Sequence, residues 1–235
     1  MLTIFLVVYL AFFCYFYVRK RFTGCRLSQY IVSLLVGYVI GSFPTAYLLV
    51  KWKSRVDIRS EGTGNVGAMN TFDVTGSTLL GFSVFFLDVI KGISAAEIGG
   101  LIYHNEFWMM GVSGIGAIVG HNYPVWLKFE GGRGLAPAVG VSLVTGWIVV
   151  PVWCLMWLVH YLTSKNIHIA NIMASLLTPL FLIVCPERFL SFVLPATTRA
   201  GDFIVLISLL LLLIVVRHFE FIVDLLKSIR NKIRE

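Results

Sequence analysis

The sequence predicts an all-α, polytopic membrane protein with about seven transmembrane helices and an extra hydrophobic segment at the N-terminus. Apolar residues make up 58% of the 235 residues and charged residues only 13%, which is about half the charged share of soluble domains. Several apolar runs approach the roughly 20 residues that a helix needs to cross a bilayer. Most of the protein surface must therefore face something other than water.

Apolar runs define the elements in chain order. Residues 1–18 are followed by the basic residues 19–21, the reverse of the charge order of a signal peptide, so we interpret them as a retained segment that is short for a span. The run 135–162 is too long for one ordinary span and has Pro151 near its middle, which predicts two short helices. The other runs are 31–50, 79–102, 108–120, 167–184 and 203–216.

Positive charge sets the expected orientation. The net charge is +7, and basic residues that flank apolar spans favour the anionic cytoplasmic leaflet, so nucleic acid is not an expected partner. Positive-inside counting places 51–76, 121–134 and the C-terminal tail on the cytoplasmic side and 186–201 outside. The basic residues 19–26 lie one span before Lys51 and disagree with this count, unless the N-terminal segment lies along the membrane surface.

Two apolar runs contain glycines four residues apart. These are Gly37 with Gly41 and Gly116 with Gly120. Small residues at this spacing let two membrane helices approach closely. Both runs are therefore predicted to pack through a glycine face.

The stretch RSEGTGNVGAMN, residues 59–70, spells G-x-G-x-x-G from Gly62 to Gly67. A dinucleotide-binding loop with this pattern follows a strand, opens a helix in a βαβ unit and has an acidic residue about 20 positions on. Here the loop follows an apolar span, and the acidic residue at that distance, Asp88, lies inside another apolar run. The pattern therefore does not predict a nucleotide site.

The same loop retains features of a site for a simpler anion. Glycines such as Gly64 let backbone N–H groups converge on an anion. Thr63, Asn65 and Asn70 add side-chain donors. Two interpretations remain open: an anion site, or a tight loop that satisfies its own backbone groups near the lipid headgroups.

A second glycine loop favours the anion site. The stretch GHNYPVWLKFEGGRG ends in Gly131, Gly132, Arg133 and Gly134 and leads directly into a new apolar run. A glycine turn at a helix N-terminus with an arginine beside it binds anions well. Two such loops on one membrane face predict a phosphorylated ligand at the membrane surface.

Other ligand classes are not expected. Neither loop is a P-loop, because Gly-Lys-Ser/Thr occurs nowhere in the chain. The four cysteines are scattered without a C-x-x-C spacing, so we expect no metal site and no disulfide framework.

Asp88 and Lys91 are charged residues within the apolar run 79–102. Their i, i+3 spacing places them on one helix face. Ionisable groups in a span are costly and usually face the bundle interior. The pair is either a structural ion pair that sets helix register or a direct ligand contact.

The residues resemble a known family, the bacterial acyl-phosphate-dependent glycerol-3-phosphate acyltransferases. The resemblance begins near Tyr30 and continues to the end of the chain, which predicts an N-terminal hydrophobic extension with a basic loop over 1–28 and a membrane-embedded acyltransferase domain over 29–235. The stretches that carry it are GSFPTAYLLVK at 41–51, DIRSEGTGNVGAMN at 57–70, LDVIKG at 87–92, GHNYPVWLKFEGGRG at 120–134 and RHFE at 217–220.

The resemblance implies an enzyme of the bacterial cytoplasmic membrane with its motif loops and C-terminus facing the cytoplasm. Such enzymes move a fatty acyl group from acyl phosphate to the sn-1 hydroxyl of glycerol 3-phosphate and form lysophosphatidic acid. It implies no cofactor. The implied partners are the two substrates, membrane lipids and the peripheral enzyme that makes acyl phosphate.

The resemblance also implies roles for individual residues. An acyl phosphate is already activated, so the protein need only position two phosphates and stabilise developing charge. Arg133, where the family has lysine, and His218 are the expected catalytic residues. The expected substrate-binding residues are Gly62, Thr63, Gly64, Asn65, Gly67, Asn70, Gly131, Gly132 and Gly134.

Several motif positions depart from the family pattern. Asp73 replaces an arginine, which exchanges attraction of a phosphate for repulsion unless Arg59, Arg133 or His168 compensates. Alternatively, Asp73 pairs with Arg133 and the pocket accepts a different, less anionic acceptor. The further departures are Met69, Pro137, Phe221 and the pair His168 and Asn171 at a helix start that carries serine in the family. They leave two alternatives open: an acyltransferase with a different acceptor, and an inactive member that binds lipid as a regulator or scaffold.

Overall fold

The computed structural model describes residues 27–102, 106–196 and 198–218. These residues form ten α-helices and two 3₁₀ turns, with no strand among them, so the all-α prediction is confirmed. The helices are α1 Leu27–Gly41, α2 Thr45–Ser54, α3 Ala68–Thr75, α4 Thr78–Ile102, α5 Phe107–Asn122, α6 Leu135–Thr145, α7 Val149–Ser164, α8 Ile167–Val184, α9 Glu187–Val193 and α10 Ala200–Arg217; the 3₁₀ turns are Ile58–Ser60 and Val125–Leu127.

Membrane-spanning character is clear in the helices themselves. Within the described ranges, four helical segments are long and apolar enough to cross a bilayer: Leu27–Ser54, Thr78–Ile102, Ile167–Val184 and Ala200–Arg217. The polytopic membrane fold is thus confirmed, while the number seven stays a prediction. The predicted N-terminal segment 1–18 and the basic tail lie outside the described residues. The predicted domain boundary between residues 28 and 29 lies at their edge.

The apolar run 31–50 predicts one continuous helix, but the structure shows two. The run breaks between α1 and α2 at Ser42, Phe43 and Pro44. Pro44 has no backbone N–H and disfavours helical geometry at the residue before it. The chain therefore turns at the end of α1 and starts a new helix at Thr45.

The long run 135–162 does divide into two helices, α6 and α7, as predicted. The break falls at Gly146, which has a φ of 169°, rather than at Pro151. Pro151 lies in the first turn of α7, where the missing N–H removes no intrahelical bond. Proline here begins a helix instead of ending one.

Helix α5 is the centre of the bundle, since 13 of its 16 residues are buried. It packs against α1 through both predicted glycine faces. Gly37 and Gly41 contact the α5 backbone, and Gly116 and Gly120 contact the α1 backbone so closely that a Cβ atom at any of the four would overlap a carbonyl oxygen. The two G-x-x-x-G patterns are thus partners of each other.

The loop before α3 and the loop between α5 and α6 lie at the same end of the bundle. Gly131, in the loop between α5 and α6, accepts a hydrogen bond from Val66 in the loop before α3. Gly132 contacts the last residue of α10, and Arg133 contacts the first turn of α8. The loops that positive-inside counting placed together therefore share one end of the fold.

Candidate functional site

The first glycine loop is organised around Asn70. Its Oδ1 accepts a hydrogen bond from the Thr63 backbone N–H at 2.9 Å. Its Nδ2 donates to the carbonyl oxygens of Ile58 at 3.2 Å and Glu61 at 3.1 Å. Asn70 is 1% exposed, so the side chain predicted as a substrate donor is engaged inside the loop and fixes its shape.

Asn70 leaves other loop groups on the surface. Gly62 and Gly64 have φ angles of 57° and 69°, in the left-handed region that favours glycine. Thr63 is exposed and Asn65 half-buried. Gly67 precedes α3 and offers no side-chain cap, so the first N–H groups of that helix have no capping partner from it.

An arginine ties this loop to the second one. Arg59 forms a salt bridge of 2.7 Å with Asp57, and its hydrogen bond lowers the pKa of the Asp57 carboxyl. The guanidinium also lies 3.4 Å from the Leu127 carbonyl oxygen and 3.4 Å from the Glu130 carboxylate. Together with the bond from Val66 to Gly131, these contacts hold the two loops side by side.

The second glycine loop is held by Arg217 from α10. Nε of Arg217 donates to the Gly132 carbonyl oxygen at 3.1 Å, and Nη2 donates to the Gly131 carbonyl oxygen at 3.4 Å. The guanidinium lies over the Tyr123 ring, 5.2 Å from its centre, a favourable cation–π contact. Arg217 therefore holds two carbonyl groups of this loop in place.

Arg217 is not among the site residues predicted from the sequence. It stands beside His218 in the RHFE stretch, at the end of an apolar span, where a basic residue is normally a lipid-headgroup anchor. One signal could have identified it. The carbonyl groups of a glycine turn at a helix start need hydrogen-bond donors.

Arg133 and His218, the two expected catalytic residues, belong to one side-chain cluster. Nη1 of Arg133 lies 3.0 Å from Nδ1 of His168, and the rings of His168 and His218 are 5.9 Å apart. His218 is only 1% exposed. The cluster brings the loop before α6, the start of α8 and the end of α10 to one place.

His218 is held at both ring nitrogens. Nδ1 lies 2.8 Å from the Ile214 carbonyl oxygen, which can only accept, so Nδ1 carries the proton. Nε2 lies 3.4 Å from Nδ2 of Asn171, whose Oδ1 accepts a hydrogen bond from Trp157 at 2.8 Å. His218 is therefore a neutral imidazole whose Nε2 is an acceptor.

Asp88 and Lys91 form the predicted ion pair, at 2.8 Å. Nζ of Lys91 also donates to the Phe43 carbonyl oxygen at 2.8 Å and to Thr45 Oγ1 at 3.3 Å. Thr45 in turn donates to Asp88 at 2.5 Å. The pair thus stabilises the break between α1 and α2, because Lys91 donates to a backbone carbonyl that the helix end leaves unsatisfied. This supports the interpretation of Asp88 and Lys91 as a structural ion pair.

A small cleft opens beside the ion pair. Lys91 and His121 line it from the bundle, and Val66 lines it from the first glycine loop. The cleft therefore lies between the α1–α2 break and the two glycine loops. Its other lining residues are Gly41, Ser42, Phe43, Pro44, Thr45, Pro124 and Leu127.

The departures from the family pattern lie mostly outside this cleft. Asp73 is exposed on α3 and forms no ion pair with any described residue, so the alternative in which it pairs with Arg133 is not what the structure shows. Met69 is 57% exposed. Pro137 packs against Gly92 of α4. Phe221 lies outside the described residues.

Residues 31–228 match the sequence profile of the family described as Glycerol-3-phosphate acyltransferase. A glycerol-3-phosphate acyltransferase of Bradyrhizobium diazoefficiens is 39% identical over 151 residues, which cover 64% of this chain and 75% of the relative.

Two crystal structures of PlsY (YgiH), an integral membrane glycerol 3-phosphate acyltransferase, have a similar fold. The glycerol 3-phosphate form gives a TM-score of 0.68 at 32% identity, and the lysophosphatidic acid form gives 0.66 at 30% identity. Each comparison covers 85% of this chain and 92% of the solved chain.

Proposed function

Because the chain belongs to the glycerol-3-phosphate acyltransferase family, we propose that it transfers a fatty acyl group from acyl phosphate to the sn-1 hydroxyl of glycerol 3-phosphate. The product is lysophosphatidic acid. The observation that supports this most directly is the meeting of both glycine loops and Arg133 at one end of a membrane-embedded bundle. Two phosphorylated substrates need two groups of donors at one place.

The reaction needs little covalent chemistry from the protein. The hydroxyl oxygen of the acceptor attacks the acyl carbon, the bond from that carbon to the phosphate oxygen breaks, and the hydroxyl proton leaves with the phosphate. Phosphate is a good leaving group, so catalysis rests on positioning and on stabilising charge. No described serine, threonine or cysteine side chain is hydrogen-bonded to a histidine ring, so the described residues offer no activated nucleophile.

The two loops divide the phosphate contacts. In this proposal Gly62, Thr63, Gly64, Asn65 and Gly67 form the loop that holds one phosphate, with the Thr63 hydroxyl as a donor; the Thr63 and Gly64 N–H groups bond within the loop to Asn70 and Glu61. Asn70 shapes that loop from inside. The turn at Gly131, Gly132 and Gly134 presents Arg133 to the second phosphate, and a guanidinium can bind a phosphate with two parallel N–H groups.

His218 acts from the interior of the same cluster. Its Nε2 is the acceptor end of a neutral ring that Ile214 and Asn171 hold in place. In this proposal it accepts a hydrogen bond from the acceptor substrate once that substrate displaces the Asn171 amide. Arg133 and His218 are thereby the groups that contact the reacting molecules.

The cytoplasmic side of the bacterial cytoplasmic membrane is the proposed location of the loop end. Positive-inside counting favours it, and it gives access to water-soluble glycerol 3-phosphate while the acyl chain stays in the bilayer. A peripheral enzyme that makes acyl phosphate would deliver the donor to the same face. No cofactor is required by this chemistry.

The direct test is acyl transfer by the purified, lipid-reconstituted protein given palmitoyl phosphate and glycerol 3-phosphate. We expect lysophosphatidic acid to form well above the level of an Arg133→Ala control. Absence of product, with acyl phosphate still bound, would contradict the proposed acceptor and leave only the donor half of the site.

Replacement of Arg217 by glutamine is expected to lower kcat/KM by about 10- to 100-fold. Each hydrogen bond from a charged donor contributes roughly 1.5–3 kcal/mol, and glutamine cannot reach both glycine carbonyls. Steady-state transfer to glycerol 3-phosphate measures the effect. Arg199→Gln is the matched control, because Arg199 is exposed at the opposite end of the same helix; equal losses in the two variants would refute the role of Arg217 in shaping the loop.

Replacement of Gly132 by alanine is expected to lower kcat by about 100-fold. The new Cβ would overlap the His121 ring, so the loop must shift, and a displacement of about 1 Å can cost that much in rate. Gly201→Ala is the control, since a Cβ there meets nothing within 4 Å. Wild-type turnover of the Gly132→Ala protein would show that the exact path of this loop is unimportant.

A further inference from the structure

The contact between Arg133 and His168 fixes the proton of the histidine ring. Nη1 of Arg133 lies 3.0 Å from Nδ1 of His168. A guanidinium is always protonated and has only donors. Nδ1 must therefore be the acceptor, which leaves the ring neutral with its proton on Nε2.

His168 is itself held in place by the start of α8. Its backbone N–H and that of Ile169 donate to the Asn166 side chain at 2.9 and 3.2 Å, which caps the helix. One turn later, Asn171 links α8 to Trp157 of α7 and to His218 of α10. The His168 ring that contacts Arg133 thus belongs to a helix that is hydrogen-bonded to two others, α7 and α10.

Arg133 stands in a turn that is rich in glycine. It follows two glycines and precedes Gly134, whose φ is 80°, so its backbone neighbours do not restrict its side chain. A long side chain that must adopt one orientation to bind a phosphate loses rotamer entropy on binding. A fixed partner at Nη1 removes part of that loss.

We propose that His168 is a positioning residue of the transferase site, which holds Arg133 in its phosphate-binding orientation only while the imidazole is neutral with its proton on Nε2. This inference rests on the proposed function, because it assigns Arg133 to a substrate phosphate. His168 acts through Arg133 and carries no step of the reaction itself.

The surroundings make this contact sensitive to protonation. Among the described residues, the charged and titratable side chains that face His168 from other elements include Arg133, from the loop before α6, and His218, from α10, with Arg217 adjacent to His218. A proton on Nδ1 would abolish the acceptor and place a positive ring against a guanidinium. Acid should therefore release Arg133 and weaken phosphate binding.

Two substitutions separate this role from mere packing. In His168→Asn the side-chain oxygen stands near the former Nδ1 position, so an acceptor for Arg133 remains, but it cannot be protonated. In His168→Phe the ring shape remains without an acceptor. We expect the Asn variant to keep kcat/KM within about threefold, and the Phe variant to lose about tenfold or more, chiefly through a higher KM for glycerol 3-phosphate.

The pH profile supplies a readout that packing alone would not move. Wild-type kcat/KM should fall on the acidic side, and that fall should be smaller in the His168→Asn variant, where the His218 ring still titrates. Equal behaviour of the Asn and Phe variants, or an unchanged acidic fall in the Asn variant, would overturn the proposal.

Calorimetric binding of glycerol 3-phosphate to the reconstituted protein tests the same idea without turnover. The His168→Phe variant should bind about tenfold or more weakly than wild type, and this loss should vanish in an Arg133→Ala background because His168 acts through Arg133. If the wild type forms no lysophosphatidic acid, the proposed function fails while this binding series still decides the role of His168. A loss that persists in the Arg133→Ala background would refute it.

Discussion

Replacement of Arg133 by alanine is expected to lower kcat/KM for acyl transfer by about 100- to 1,000-fold, the usual effect of losing one preorganised donor of transition-state charge. Arg133 is the charged side chain that the second glycine loop presents beside the cluster of His168 and His218. Alanine removes both the positive charge and the fork that binds a phosphate through two N–H groups. The measurement is steady-state formation of lysophosphatidic acid from palmitoyl phosphate and glycerol 3-phosphate.

Two further variants sharpen this result. Arg133→Lys keeps the charge but loses the planar fork and the fixed bond to His168, so its activity should lie between those of wild type and Arg133→Ala. Lys53→Ala removes an exposed positive charge from α2 and should have little effect. Unchanged turnover in Arg133→Ala would mean that neither glycine loop is the site we assign.

Replacement of Asp88 by alanine is expected to lower the free energy of unfolding by about 3–5 kcal/mol, because it leaves the buried Lys91 ammonium without its counter-charge. Asp88 and Lys91 are 1% and 8% exposed. The same substitution also removes the acceptor of Thr45 at the start of α2. The measurement is reversible unfolding in detergent micelles, followed by circular dichroism.

The control lies on the same helix. Glu97 of α4 is also acidic within an apolar run but is exposed, so Glu97→Ala should change the free energy of unfolding by only about 0.5 kcal/mol. Equal stability of the Asp88→Ala and Glu97→Ala proteins would show that the ion pair does not hold the break between α1 and α2.

Most helix boundaries could be predicted from the sequence, because an apolar run in a membrane protein has few alternatives to a helix. Helix α8 covers the same residues, 167–184, as the predicted run. The break at Ser42 was missed because Ser42, Phe43 and Thr45 are small or apolar and interrupt no hydropathy pattern. Pro44 was its only local signal, and the lysine that supports it lies 47 residues later in the chain.

The residue types of the candidate site could also be predicted, but not the direction of their side chains. Asn70 was expected to face a ligand, whereas its amide closes its own loop. Arg133 and His168 were each noted as departures from the family pattern, yet only the structure places one against the other. Such contacts depend on how the helices pack against each other, which the spacing of apolar residues along the sequence does not predict.

The position of Arg217 near the C-terminal end of the described chain determines when the second glycine loop can be completed during translation. Arg217 is 85 residues beyond Gly132, whose carbonyl it holds. A ribosome adds roughly 5–20 residues per second, so a nascent chain carries an unsupported glycine turn for about 4–17 s before Arg217 is made. During that interval the turn between α5 and α6 lacks the residue that holds its carbonyl groups. Each new molecule therefore completes this loop only after α10 has been translated.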